Sequence, residues 1–193
     1  EEWKERADES PLRVLDDDAE ARMIDEIERA RDSGDSLGGT FEVVALGVPP
    51  GIGSYSASRD KLDSLIASGF MSIPAIKSVE IGLGREVGKK RGSEVHDEIY
   101  HEEDRGFYRS SNNAGGLEGG VTNGEPVRVE AAMKPIPTLA RPLHSVDIED
   151  GTEGEAAKER SDVCAVPAAS IVGEAVLANV LAGAFLEKFG ADT

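Results

Sequence analysis

At 193 residues the chain is long enough for one domain with its own core, and 39% hydrophobic residues permit a globular fold. A net charge of −17 excludes nucleic acid and anionic membrane surfaces as partners and reads as surface solubility. The single cysteine, Cys164, excludes an internal disulfide and suits a reducing compartment.

Glu1–Ser10 is polar and charged and is expected to fray. No basic-then-apolar leader is present, and the absent initial Met reads as a piece of a longer chain. From Asp18 to Arg31, Met23, Ile24, Ile27 and Ala30 share one helical face, which predicts a surface helix packed by one stripe. Asp16, Asp17 and Asp18 favour its positive end, and Gly34 stops it. Thr40–Val48 is rich in β-branched residues and predicts a strand, broken by Pro49-Pro50-Gly51-Ile52-Gly53-Ser54. Gly51-x-Gly53 lacks the third glycine of a dinucleotide fingerprint, so it is read as a turn. Asp60 is the expected cap of a helix from Lys61 to about Ser68, with Leu62, Leu65 and Ile66 inward. A strand follows at Lys77–Ile81. Gly82–Lys90 imitates a phosphate loop, but no glycine stands five positions before Gly88, and Lys90 replaces the needed hydroxyl. His96 and His101 lie among Asp97, Glu98, Glu102, Glu103 and Asp104. Their spacing suits no helical metal pair, so a solvated loop is expected and no metal.

The richest stretch runs from Ser110 to Leu143. Gly115-Gly116 and Gly119-Gly120 are framed by Asn112, Asn113 and Asn123. A strand is predicted at Val127–Met133, leading into Lys134-Pro135-Ile136-Pro137-Thr138. Paired glycines let backbone amides approach an anion, and a lysine supplies a point charge. The prolines fix φ and present Lys134 and Thr138 on a stiff backbone. This combination points to a pocket for a phosphorylated ligand. The competing reading is a flexible linker, against which Leu117 and Val121 are too apolar.

His144–Val146 is expected to be extended and Asp150–Lys158 a polar loop. Arg160-Ser161-Asp162 leaves two readings open: a surface Arg160–Asp162 pair, or a guanidinium for an anion beside a carboxylate for proton work. Ala168–Phe189, after Pro167, is apolar almost all round and predicts a buried helix ending near Gly190. Glu174 and Asn179 make it a poor membrane span. Lys134, Arg141 and Arg160 are the cations available to reverse an acidic field around a phosphate. No internal boundary is legible, so a single domain is expected over 1–193.

The blocks NNAGGLEGGVTNG, AMKPIPTLARPL and Arg160-Ser161-Asp162-Val163-Cys164 resemble, in order, the carboxy-terminal half of the chorismate synthase family. FEVVALGVPPGIGS and MSIPAIKSVEIG match in style, so the resemblance covers the chain from about Ser36 onward. It implies an α+β fold, an antiparallel sheet packed with helices as part of a β-α-β sandwich, assembled as a cytoplasmic homotetramer. It implies a lyase of the shikimate pathway, serving aromatic amino acid biosynthesis. Reduced FMN would be used to eliminate phosphate from 5-enolpyruvylshikimate 3-phosphate, giving chorismate. By resemblance Pro74, Ala75, Gly119, Lys134, Pro135, Ile136, Pro137, Thr138 and Arg160 would line the flavin. Arg160, Ser161 and Asp162 would meet the substrate, with Asp162 catalytic in proton transfer. The family usually has Asn or Gln where this chain has Pro74. The family's amino-terminal half, with its two functional histidines and several arginines, has no counterpart, and His96, His101 and His144 lie outside those motifs. A fragment inactive by itself is therefore expected. The alternatives are a non-catalytic phosphate- or flavin-binding module and an acidic interaction domain whose glycine stretch is a linker.

Overall fold

The computed structural model, which describes residues 2–190, has an α+β arrangement. In chain order they are α1 (Glu2–Glu9), α2 (Asp17–Ser33), β1 (Gly39–Ala45), α3 (Leu62–Met71), β2 (Ile76–Ile81), α4 (Gly92–Val95), β3 (Ile99–Glu102) and β4 (Gly106–Arg109). Then come β5 (Leu117–Glu118), β6 (Val121–Thr122), β7 (Val127–Met133), β8 (His144–Val146), β9 (Glu153–Glu155) and α5 (Val166–Phe189). The chain divides into two compact units, Glu1–Gly39 with Met133–Ala169, and Thr40–Ala132 with Ser170–Thr193.

In the first unit α1 is a helix where fraying was expected, apart from Glu1, which lies outside the described residues. Its end is tied down: Arg6 pairs with Asp17, and the Ser10 hydroxyl accepts the amides of Leu12 and Val14 at 3.2 and 2.9 Å. α2 starts on Asp16, whose carboxylate accepts the Ala19 amide at 2.6 Å, and stops at Gly34 with φ 75°. Its apolar stripe is less covered than expected: Ala30 is buried, but Met23 and Ile24 are exposed. β8 pairs antiparallel with β9, from His144 opposite Glu155 to Val146 opposite Glu153. Part of the expected polar loop is thus a hairpin, closed by Asp150, which accepts both the amide and hydroxyl of Thr152.

The second unit is built on a three-stranded sheet ordered β1-β7-β2. On central strand β7 the fully buried Val127, Val129 and Ala131 alternate with Arg128 and Glu130, the period-two pattern of a sheet with one covered face. Arg128 pairs with Glu42 of β1 at 2.6 Å on the other face. α3 covers the apolar face with Leu62, Ile66 and Phe70, four residues apart and 0% exposed. Asp60 is not its cap. It sits in a 3-10 turn, and the free first amide, Leu62 N, donates instead to the Gly120 carbonyl at 2.9 Å.

α5 departs from the expectation of burial all round. Ala169, Gly173, Leu177 and Ala184 form one buried stripe, with Gly173 against Phe41, Val43 and Phe70. Ile171, Val172, Phe185, Leu186 and Phe189 are exposed, because the sheet and α3 cover one side. By length and composition α5 is able to cross a bilayer, with a window of mean hydropathy 1.8, a test that the core helices of soluble proteins also pass. The expected solvated loop around His101 is also corrected. β3 and β4 form an antiparallel hairpin in which Tyr100 faces Tyr108 and His101 faces Phe107, cross-strand aromatic pairs that hold it.

Candidate functional site

The glycine stretch of the second unit is folded, not a linker. Asn112 is its hinge: its side-chain oxygen accepts the Gly116 amide, and its amide group donates to Pro126 O, both at 2.8 Å. Gly115 N donates to Asn112 O at 3.2 Å, and Gly115 O accepts Arg128 N at 3.1 Å. The amides of the first glycine pair are therefore used internally, and the expectation that they approach an anion is corrected.

β5 and β6 then close a two-residue turn at Gly119-Gly120, with φ of 62° and 95°, left-handed values that favour glycine. The hairpin rests on the Pro49–Ser54 turn: Thr122 N donates to Ile52 O, Ile52 N donates to the Thr122 hydroxyl, and that hydroxyl donates to Pro49 O at 2.6 Å. Among the described residues the amides of Gly119 and Gly120 have no acceptor. A Cβ added at Gly119 meets nothing within 4 Å. Gly119 thus offers an open, unbonded backbone surface. Elsewhere in this unit Pro74 precedes Ala75, which holds φ 68°, a strained value for a residue other than glycine.

Asp97 anchors the start of this loop. One carboxylate oxygen accepts the Ser111 hydroxyl at 2.5 Å and the Asn113 amide at 2.8 Å; the other accepts the Ala114 amide at 2.9 Å. Burial pushes the Asp97 carboxyl up, while the Ser111 hydroxyl, the Ala114 and Asn113 amides and the Arg109 charge pull it down. The net position lies below its ordinary value of 3.8. A carboxyl lowered on folding adds stability that is complete above its unfolded pKa and is lost as pH falls through the folded one. Unfolding free energy should therefore fall more steeply below about pH 4 in the native chain than in Asp97→Asn, as urea titrations at several pH values would show. Parallel curves would contradict the account.

In the first unit the two sequence-predicted segments meet. The Ser161 hydroxyl donates to Thr138 O at 3.0 Å, joining Lys134–Thr138 to Arg160–Asp162. Gly34–Gly38 threads between them. Leu37 N donates to Val163 O at 2.7 Å, with a parallel bridge to Cys164, and the buried Ser36 hydroxyl donates to Ile136 O at 2.6 Å. Arg141 N donates to Gly34 O at 3.1 Å. Sequence reasoning missed this thread, because Asp35-Ser36-Leu37-Gly38 carries no motif and acts through contacts about 100 residues away.

Lys134, Pro135, Pro137, Arg160, Ser161 and Asp162 are exposed, and Ile136 and Thr138 are half-buried. Arg160 and Asp162 form no ion pair among the described residues. The four basic residues of 133–169, Lys134, Arg141, Lys158 and Arg160, form no ion pair among the described residues. Arg6, Arg13, Arg29 and Arg31 of the same unit do. Chemically, then, the joined segments present uncommitted cations and a free carboxylate on a backbone fixed by two prolines.

The family model described as chorismate synthase matches residues 1–186. A chorismate synthase of Desulforudis audaxviator is 61% identical over 188 residues, covering 97% of this chain and 48% of the relative. One from Aquifex aeolicus is 54% identical over 190 residues, covering 98% and 48%. A crystal structure of a chorismate synthase superposes with a TM-score of 0.82 at 47% identity, covering 98% of this chain and 49% of that one. The chain thus spans about half the length of the relatives it matches.

Proposed function

The chain belongs to the chorismate synthase family, and from that membership we propose that it supplies the flavin- and phosphate-facing part of a carbon–oxygen lyase. The reaction is elimination of phosphate from 5-enolpyruvylshikimate 3-phosphate to give chorismate, within the shikimate pathway. The observation that carries the reading is the Ser161–Thr138 hydrogen bond, which draws Lys134 and Arg160, cations without carboxylate partners among the described residues, toward one backbone junction.

Those residues fit an anionic cofactor and a phosphorylated substrate. When bound, reduced FMN supplies an electron lent and recovered as the C–O bond breaks, so the net reaction is redox neutral. The chain's part is binding and charge. Lys134 offers a point charge to a phosphate, held in place by Pro135 and Pro137. Arg160 offers a planar fork to a phosphate or carboxylate. Asp162 follows Ser161, whose hydroxyl is fixed on Thr138, and stands as the group that moves a proton. In the second unit, the open Gly119 amide and the backbone at Pro74-Ala75 are read as flavin contacts. Pro74 offers no side-chain donor where the family usually has one. The intact enzyme is read as a cytoplasmic homotetramer.

The test is an anaerobic titration of this chain with reduced FMN, repeated with oxidised FMN by fluorescence. Binding is expected, and Lys134→Ala should weaken it about ten- to hundredfold, the scale of a lost charge-assisted contact. Unchanged affinity in Lys134→Ala would remove the site. A second reading, a flavin-binding module without catalysis of its own, is favoured for the isolated chain because His96, His101 and His144 lie outside the family's histidine motifs. It predicts no chorismate from this chain with reduced FMN and substrate. Turnover would place the catalytic histidines among those three.

A further inference from the structure

We propose that Asp97 is a positioning residue for the flavin-facing turn at Gly119, acting by fixing the start of the loop whose tip carries that glycine. The inference rests on the reading of Gly119 as a flavin contact. Both carboxylate oxygens of Asp97 are occupied, by the Ser111 hydroxyl and by the Asn113 and Ala114 amides. Asp97 is 9% exposed, so water cannot readily replace it if it is removed. The neighbouring Val95 carbonyl accepts the Asn113 side-chain amide at 2.9 Å, so the turn between α4 and β3 forms a wall for the loop.

From that wall the bonding continues toward the tip. Ala114 O accepts Leu117 N at 3.4 Å, and Leu117 pairs with Thr122 across the hairpin. The tip's other side is held by Arg109, which pairs with Glu118, the residue before Gly119, and donates to Asn123 O at 3.2 Å. Asn123 in turn donates to Glu118 at 3.1 Å. Arg109 keeps a buried Nε without a hydrogen-bond partner, which leaves that end of the frame under-satisfied and makes the Asp97 end the firmer anchor. The glycine turn has no side chains of its own to hold it, so its geometry is set by these neighbours.

The test compares Asp97→Asn with the native chain by amide hydrogen exchange and by FMN titration of the same samples. Loss of the second carboxylate oxygen should speed exchange at Ala114 and Leu117 about tenfold or more, and leave the amides of β7 unchanged. FMN affinity should fall about tenfold. Ser111→Ala removes one donor and keeps both amide bonds, so it should give the same changes at roughly threefold. It carries the test if Asp97→Asn does not fold. Unchanged loop exchange overturns the proposal. Faster loop exchange with unchanged FMN affinity overturns it too, and leaves the Lys134 site standing. A native chain that binds no FMN overturns the flavin reading itself, and the positioning role with it.

Discussion

Phe70→Ala is expected to cost about 3–5 kcal/mol of unfolding free energy, the range for emptying a fully packed aromatic site. Phe70 is 0% exposed, and its ring lies 6.5 Å from that of Phe41 at an interplanar angle of 26°. α3 packs it on a sheet whose central strand buries Val127, Val129 and Ala131 completely, and α5 passes over it at Gly173. None of these elements can collapse into the space without breaking sheet or helix hydrogen bonds, so the cavity remains. For a chain of this size the thermal midpoint should fall by roughly 6–20 °C. The adjacent Met71 is 49% exposed, so Met71→Ala should cost under about 1 kcal/mol. Urea unfolding of the two variants checks the contrast. Equal losses would mean that α3 does not present Phe70 to the core.

Gly82→Ala is the second large effect, expected to exceed about 3 kcal/mol and to release the glycine loop. Gly82 holds φ 60°, which costs an alanine about 1–2 kcal/mol. The added Cβ would also stand 2.6 Å from Gly115 N and 2.8 Å from Ala114 C, with Asn113 O closer still. All three are backbone atoms, so no rotamer change relieves the overlap. Gly82 N also donates to Arg128 O at 3.1 Å, which ties the position to β7. Gly119→Ala separates the two contributions. It has the same sign of φ but open space around it, so it should cost about 1–2 kcal/mol while weakening FMN binding. Urea midpoints of the two variants give the comparison. If Gly82→Ala costs no more than Gly119→Ala, the back-to-back packing of Gly82 and Gly115 is wrong.

Local rules made several elements legible. The strand at β7, the acids at the start of α2 and its Gly34 stop follow from residues within one turn or one pleat of each other. The chemistry-bearing segments Lys134–Thr138 and Arg160–Asp162 were legible for a related reason: charge, hydroxyl and proline are properties of the residues themselves. Asp60 failed as a cap because the Leu62 amide found a partner in Gly120, 58 positions on, and no helix rule sees that carbonyl. Gly82 imitates part of a phosphate loop in sequence, but its role is close packing against Gly115, which lies 33 positions on.

Residue chemistry alone thus pointed to a phosphorylated ligand, ordered motifs carried the family resemblance, and local pattern located α2, α3, α5, β1, β2, β7 and β8, half of the helices and strands. Folding settled which groups stay available. Gly115 and Gly116 spend their amides on Asn112, whereas those of Gly119 and Gly120 find no acceptor among the described residues. It also set α5's buried stripe and brought Ser161 to Thr138. The reason is that a donor's availability and a helix face's burial depend on partners far away in the chain, whereas charge and backbone stiffness travel with each residue.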